Sequence, residues 1–344
     1  MSISKNNYYE KAFSHIYVEE AIKDTPDVTA ILKQFQAATI IYIKHYKDVF
    51  CRSNQHYNRQ QASHTLIIAN KSGSKIYNGS PVCQSFDNKY FYYTSCMMNC
   101  IYNCEYCYLK GMYQSGYMTL FINLQETFDE VALLLKKHPV YLCVSYDTDL
   151  MAMENIFHLS ERWCDFVNTI NEKSKNKLTI EIRTKCGNIS NWKNLQANPD
   201  VIFAFTISPE YVINAYEGDT SSLSSRLSCA ADVMKSGFPV RLCFDPMIYC
   251  PDWKKHYNTM IDKAVETIDF SRLYDISVGS FRISKEYLKK MRRNMKNSAI
   301  ANFPYENTAG FYHYPSDLQN EMEHFLLQAL SNYISTDKIF LWKE

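Results

Sequence analysis

The spacing Cys100-x3-Cys104-x2-Cys107, inside the stretch "TSCMMNCIYNCEYCYLKGMY" (residues 94–113), constrains this chain more than any other feature. With Cys96 it packs four cysteines into twelve residues, while the rest of the twelve in the chain are scattered. The opening "MSISKNNYYEKAFSH" lacks the continuous apolar run of a signal peptide. Apolar runs such as "VIFAF" and "ALLL" fall far short of the ~20 residues that span a bilayer. A cytoplasmic protein with no membrane partner is therefore expected. In a reducing compartment such a cluster of thiols implies metal rather than disulfides.

Three thiolates from one short loop can hold three irons of a [4Fe–4S] cube and leave the fourth open to a small chelating ligand. The competing reading is a four-cysteine zinc site that also uses Cys96. Zinc is usually served by two separated cysteine pairs, whereas this run is contiguous and has no histidine nearby. The spacing therefore favours an iron–sulfur cluster, with Cys96 as a buried residue at the end of a strand.

The chain of 344 residues is 46% hydrophobic and 21% charged, enough to bury a barrel-sized core. Its formal charge of +1 gives no whole-molecule attraction for nucleic acid, so such a surface must be local. The 27 tyrosines against 9 glycines accompany abundant Lys, Asn and Ile, as a base-composition bias produces. A helix is predicted around "TPDVTAILKQFQAATIIYIKHY", then a strand "HTLIIAN" and a loop "NKSGSKIYNGSP". From residue 90, strand candidates "KYFYYTS", "YMTLFIN", "VYLCVSYD", "LTIEIRT", "VIFAFTIS", "PVRLCFDPM" and "YDISVGSFR" alternate with helical patterns. "LQETFDEVALLLKKH" places Phe128, Val131, Leu134 and Leu135 on one face, and "SSLSSRLSCAADVMKSG" runs from hydroxyl caps to Gly237. Short apolar strands separated by helices indicate parallel βα units and a full or partial barrel, with its site in the loops after the strands. The cysteine stretch follows "KYFYYTS" and so occupies such a loop.

Cys-x3-Cys-x2-Cys after the first strand of a βα barrel is similar to the signature of the radical S-adenosylmethionine (SAM) superfamily. More narrowly, "CIYNCEYCYL", "FTISPEYVINAYEGDTSSLSSRL", "GFPVRLCFDPMIYCPDWKKHY" and the Thr-Lys of "IEIRTKCGNISNW" resemble the spore photoproduct lyase family. The resemblance runs from about residue 60 to the C-terminus and is weaker before it. It implies an α/β fold, a partial (β/α)6 TIM-like barrel of the radical SAM type. Residues 1–88 would form a mixed α/β extension and 89–283 the barrel. Residues 284–344 would supply a basic helix, a DNA-engaging hairpin and a closing helix with the core stripe Leu318, Met322, Phe325 and Ala329. The implied cofactors are a [4Fe–4S] cluster and SAM. Cys100, Cys104 and Cys107 would bind the cluster, Tyr106 the SAM adenine, Lys185 and Ser208 its carboxylate and neighbouring polar groups, and Thr148 the ribose side. Taken alone, Lys185 reads more readily as a solvated strand-end lysine and Ser208 as a turn residue before Pro209.

The implied reaction is reversal of a thymine-dimer photolesion in UV-damaged DNA by a lyase using a 5′-deoxyadenosyl radical. A flavodoxin or ferredoxin would supply electrons, and a monomer is expected. Tyr106 and Tyr108 fall where the family relays hydrogen near the cluster. The family's hydrogen-donor cysteine falls on Tyr146, and Cys143, three residues earlier in a strand, should face the other way. The expectation is that Tyr146 donates, or that no thiol is needed. Together with the loss of an Arg-Tyr pair in the hairpin, that suggests a paralogue acting on a (6–4) or Dewar dithymine lesion.

An Arg-Tyr pair of the family's hairpin falls on Glu306 and Asn307. Tyr305, Phe311, Tyr312 and Tyr314 could replace the aromatic wedge or simply pack beneath the hairpin. Lys289, Lys290, Arg292, Arg293 and Lys296 are candidates for DNA phosphates, against a plain solvated helix face. Rival functions are a radical SAM enzyme modifying RNA or a peptide, and a non-catalytic iron–sulfur DNA-binding protein. Cys229, Cys243 and Cys250 are too spread to form the second cluster the first rival often carries.

Overall fold

The computed structural model describes residues 13–187 and 195–342. Positions 188–192 of the segment "IEIRTKCGNISNW" lie outside the described residues. Three N-terminal strands, β1 (His15–Glu19), β2 (Thr39–Ile43) and β3 (Thr65–Ala69), pair in parallel with β1 in the middle. The long helix expected around residues 25–46 is not formed. A helix covers Pro26–Leu32 only, and the following Thr39-Ile40-Ile41 run becomes β2. Consecutive β-branched side chains lose rotamer freedom in a helix and fit a pleated strand, and the β1 backbone offers the partner.

Next come β4 (Ile76–Asn78), β5 (Phe91–Thr94), β6 (Met97–Met98), β7 (Asn103–Cys104) and β8 (Met118–Phe121). The strand predicted from "YMTLFIN" exists as β8, but outside the barrel. It runs parallel to β3 and pairs with β6, giving a first sheet ordered β2-β1-β3-β8-β6. Apolar periodicity identifies a strand but does not say which sheet it joins.

The second sheet contains β9 (Val140–Cys143), β10 (Leu178–Thr184), β11 (Val201–Thr206), β13 (Val240–Met247) and β14 (Asp275–Ser280), with the short β12 (Glu217–Gly218) lying outside it. With β5 these make six parallel strands in chain order. Buried side chains such as Ile180, Ile182, Phe203, Phe205 and Leu242 lie along the central strands, as parallel sheets covered on both faces require. The barrel stays open. β4 caps one edge antiparallel, and β18 (Ile339–Leu341) adds in parallel at the other. A small three-stranded sheet of β15 (Arg282–Ser284), β16 (Glu306–Thr308) and β17 (Phe311–His313) carries the C-terminal hairpin. Strand pairing thus crosses both expected segment boundaries. Residues before 89 share a sheet with β6 and β8, and a strand beyond 284 closes the barrel edge.

Towards the N-terminal ends of the strands the interior is filled by charge. Arg241 bonds Asp275, Glu181 and the Tyr141 hydroxyl, and its guanidinium lies 3.2 Å above the Phe86 ring. The predicted helices over 124–135 and 223–235 form, the latter capped by Ser222, which accepts from the Ser225 N–H at 3.2 Å. The closing helix Ser316–Leu330 packs its expected stripe on the core, with Leu318, Phe325 and Ala329 partly buried there. Met322, Leu326 and Leu330 are its buried positions. Glu323 is buried too, because its carboxylate accepts from the N–H and hydroxyl of Ser280 at 3.0 and 2.8 Å. No helix among the described residues is long and apolar enough to cross a membrane.

The short helix Leu109–Met112 that ends the cysteine loop packs on the helix Lys285–Asn294 at Gly111. A Cβ there would meet the Tyr287 backbone oxygen at 2.5 Å, so no larger residue fits without moving one helix. Gly111→Ala should destabilise the protein by about 1–3 kcal/mol in chemical denaturation, whereas a native midpoint would show that the contact yields freely.

Candidate active site

The cysteine loop is shaped before any ligand is considered. Asn99 takes a left-handed conformation (φ 62°), which its short polar side chain tolerates, and turns the chain into Cys100. Its amide donates to the Ser115 and Tyr117 carbonyls at 2.7 and 2.8 Å and accepts from the Tyr57 hydroxyl at 3.0 Å. Gln61 donates to the carbonyls of Cys100 and Tyr102 at 2.9 and 3.0 Å. Further on, β7 pairs antiparallel with β12, setting Cys104 opposite Glu217, and the Glu105 N–H donates to Tyr216 O at 2.7 Å. The loop is thus pinned to the first sheet on one side and to the barrel on the other.

The three sulfur residues line a cavity of about 450 Å³, within the usual ~300–1,000 Å³ of ligand sites. All six barrel strands send residues to it from their C-terminal ends or the loops beyond. They include Tyr108 after β5, Cys143 and Thr148 on and after β9, Thr184 and Lys185 from β10, Thr206 from β11, Asp245 from β13 and Phe281 after β14. The hairpin adds Phe311 and the basic helix adds Tyr287.

Burial pushes the thiols of Cys100, Cys104 and Cys107 up, Cys104 to about 12 even beside the Lys185 ammonium. Metal ions would take the place of those protons. Among the described residues no three His, Cys, Asp or Glu side chains close on a single ion. A cubane binds each cysteine to a different iron, so its ligand sulfurs stand further apart than those around one metal. Cys96 is buried beneath the strand end, accepts from Trp163 Nε1 at 3.2 Å and does not line the cavity. A four-cysteine zinc set is therefore not assembled. Polar groups suited to SAM converge on the same space. Thr148 Oγ1 is buried with no hydrogen-bond partner. Lys185 stands 5.5 Å from the centre of the Tyr106 ring. Burial alone would lower the Lys185 pKa, but Cys104 and Glu217 outweigh it and keep the ammonium charged. These residues fit a cubane with a zwitterionic sulfonium nucleotide on its open corner.

The buried carboxylate of Glu217 organises this wall. It accepts from the Tyr106 hydroxyl, from Ser208 Oγ at 2.8 Å and from the Arg226 guanidinium. Burial would raise its pKa, but Arg226 and Lys185 hold it below the usual carboxylate range. Asp149 plays a similar part, accepting from Thr184 Oγ1 and the Lys185 N–H, both at 2.7 Å, so that Lys185 leaves its strand in a fixed direction.

Several expectations change. Ser208 donates its hydroxyl hydrogen to Glu217 and is not among the cavity residues, so it braces the wall. Cys143 does not face away from Tyr146; both line the cavity. β9 ends at Cys143, and the alternation that separates residues three apart ends with it. Tyr305 and Tyr314 are buried in an aromatic cluster with Phe303 and are not free wedges. Glu306 accepts from the Ser316 N–H and hydroxyl at 3.1 and 3.2 Å, capping the closing helix, while Asn307 is exposed on β16. Phe311 and Tyr312 stand half-buried on β17. Lys289, Arg293 and Lys296 are exposed and Lys290 partly so. Arg292 instead donates to the carbonyls of Ala301 and Phe303 at 2.8 and 3.1 Å and braces the turn before the hairpin.

Tyr108 lines the cavity with its hydroxyl on the Tyr146 carbonyl, and Tyr146 stacks on Tyr93 at 4.0 Å. Glu217, Arg226, Asp149 and Cys83 escaped the sequence reading. Glu217 lay in a quoted family segment, and its acidic residue within that segment was the available signal. Cys83 carried none.

The family model described as spore photoproduct lyase matches residues 14–340. The chain belongs to that family. The spore photoproduct lyase of Bacillus subtilis (strain 168) is 22% identical over 286 residues, covering 80% of each chain. That of Clostridium acetobutylicum is 23% identical over 250 residues, covering 69% of this chain and 72% of the relative. Among solved structures, a spore photoproduct lyase double mutant with bound AdoMet and dinucleoside spore photoproduct superimposes with a TM-score of 0.81 at 17% identity, covering 96% of this chain and 98% of the other. A spore photoproduct lyase complexed with dinucleoside spore photoproduct gives 0.79 at 16% identity over the same shares. These likenesses establish the fold, a partial barrel of the radical SAM type.

Glu217→Gln should cost about 3–5 kcal/mol at neutral pH, because Arg226 is left buried without its counter-charge. The folded pKa of Glu217 is depressed, so its contribution is complete above the unfolded value and fades as pH falls through the folded one. Urea unfolding should therefore show the gap between the two proteins closing in acid. A gap independent of pH would place the effect elsewhere.

Proposed function

We propose that this chain is a radical SAM lyase that reverses the methylene-bridged thymine dimer, the spore photoproduct, in DNA. The observation that carries the reading is one cavity that joins three loop cysteines, the SAM-suited groups Lys185 and Thr148, and the aromatic rim of the hairpin. When bound, the reduced cluster and SAM supply a 5′-deoxyadenosyl radical that abstracts hydrogen from the lesion. Cys100, Cys104 and Cys107 would hold the cluster. Lys185 would pair with the SAM carboxylate, Thr148 Oγ1 would meet the ribose side, and Tyr106 would pack against the adenine while Glu217 fixes its hydroxyl. Tyr108 and Tyr146 wall the space where the lesion's reacting bond must lie, and the low-dielectric cavity excludes water from carbon radicals.

A (6–4) or Dewar substrate was suggested by two departures, the missing donor thiol and the loss of the hairpin's Arg-Tyr pair at Glu306 and Asn307. Thiols do line the cavity, so the simpler substrate is preferred. Phe311, at the cavity rim, would stack on a flipped dinucleotide, and Lys289, Lys290, Arg293 and Lys296 would meet flanking phosphates. The reading carries with it a cytoplasmic monomer served by a flavodoxin- or ferredoxin-type reductant.

Anaerobic incubation with SAM, dithionite and a lesion-containing oligonucleotide should release dithymine DNA. Lys185→Ala should raise the SAM requirement more than it slows the saturated reaction. Conversion of a (6–4) lesion with the spore photoproduct left intact would overturn the substrate assignment. Duplex affinity should fall with salt at a log–log slope of about −0.9 per phosphate neutralised, and charge reversal at Lys289 and Arg293 should flatten that slope. An unchanged slope would move the DNA track to another face.

A further inference from the structure

Among the described residues two arginines line the cavity, Arg282 and Arg183, and only the first is consumed by the protein. Arg282 donates to Asp245 at 2.9 and 3.1 Å and to the carbonyls of Val82 and Ser280 at 2.9 and 3.1 Å. Arg183, on β10 two residues before Lys185, is held differently. Its backbone N–H donates to Ser145 Oγ at 2.6 Å, and its Nε donates to Glu181 Oε1 at 3.1 Å. Among the described residues neither terminal nitrogen has a hydrogen-bond partner. The side chain keeps 31% of its surface exposed, against 8% for Arg282 and 1% for Arg241. A guanidinium carries five N–H donors and does not shed its charge, so four donors remain for whatever fills the cavity. Their direction is set by Glu181, which also accepts from the Tyr141 hydroxyl at 2.7 Å and from Arg241. A donor fork on a supported carboxylate is preorganised for an acceptor.

The acceptors at hand are the SAM carboxylate, a DNA phosphate and the carbonyls of a flipped base pair. The neighbours of Arg183 set it apart from the SAM wall. Cys143, Glu181 and Asp245 bear on it electrostatically, whereas Cys104, Cys107 and Glu217 bear on Lys185. Around Arg183 the charges already balance. Arg183 and Arg241 share Glu181, Arg241 also binds Asp275, and Arg282 binds Asp245, so three guanidiniums face three carboxylates. The nearby thiols add no charge, because burial pushes Cys143 and Cys243 up, Cys243 to about 12. A phosphate drawn in here would leave one negative charge in surplus, at a large desolvation cost. A neutral carbonyl oxygen takes the donors and keeps the balance.

We propose that Arg183 is a specificity-determining residue whose terminal N–H groups donate to a ring carbonyl oxygen of the bridged thymine pair. The inference rests on the lyase reading above and adds to it the group that recognises the bases. Tyr108 and Tyr146 supply aromatic walls, which any base satisfies. Arg183 supplies the polar edge contact, which requires a carbonyl in one place. A site built around such donors rejects a ligand lacking the acceptor far more strongly than an apolar pocket rejects a missing methyl group.

The test is calorimetric titration of the anaerobic holoenzyme, SAM-loaded and left unreduced so that nothing turns over, with dinucleoside spore photoproduct. Arg183→Met keeps the length of the side chain and removes its donors. It should raise the lesion Kd about 10–100-fold and leave the SAM Kd within about twofold of wild type. Arg183→Lys, with the same charge and fewer donors, should recover part of the loss. Lesions with a thiocarbonyl in place of one ring carbonyl, tried position by position, should include one that wild type binds as weakly as Arg183→Met binds the parent. Arg183→Met should not distinguish that analogue from the parent. Adding the internucleoside phosphate should leave the factor lost in Arg183→Met unchanged. Wild-type lesion affinity in Arg183→Met would overturn the proposal. So would a loss seen only with the phosphate present, or a loss of SAM binding in step with lesion binding, the mark of a structural or SAM-facing role. A wild-type holoenzyme that takes up SAM but no dithymine lesion would sink the lyase reading itself, and the recognition role with it.

Discussion

The buried carboxylate of Glu217 is the interaction on which the site depends. It sits opposite Cys104 in the short ladder, accepts from the Tyr106 hydroxyl between Cys104 and Cys107, and is neutralised by Arg226 from the helix that follows β12. A carboxylate taken out of water this completely persists only if its lone pairs are filled and its charge is matched. Meeting that condition fastens the cysteine loop to the barrel and sets the direction of Tyr106. Asp149, at the helix cap after β9, accepts from Thr184 Oγ1 and from the Lys185 N–H and so sets the direction in which Lys185 leaves β10.

The two sheets divide the labour. The first sheet and the residues around it grip the loop from outside through Gln61, Tyr57 and Asn99. The six parallel strands open their C-terminal ends into the cavity, and the Arg241 network closes the other end. Opening the barrel at the β4 and β18 edges leaves room for the 79–90 loop and the C-terminal hairpin to form walls. Both walls are tied by Arg282, which begins the hairpin sheet, holds Asp245 and anchors Val82.

What could be read from the sequence is what is encoded locally. The cysteine spacing, the intervening Tyr106 and the Thr-Lys at the end of β10 each span a few residues, and each lines the cavity. Alternating apolar strands gave the barrel. The same periodicity sent β8 to the wrong sheet and merged β2 into a helix, since pairing partners lie outside any local window. Glu217 meets Tyr106 across 111 positions, and Arg282 meets Val82 across 200, so neither partnership leaves a trace in spacing. Cys143 was misjudged for a smaller reason, because strand alternation was extended past the last strand residue. Ser208, Arg292 and Tyr305 carried the right chemistry for a ligand but had been claimed by the protein itself.

The account stands most directly on the three loop sulfurs holding a cube with one free corner. Electron paramagnetic resonance of the anaerobically prepared, dithionite-reduced protein tests it. About four irons per chain and a cluster signal that changes when SAM is added are predicted. Protein without iron, or a signal indifferent to SAM, would contradict it.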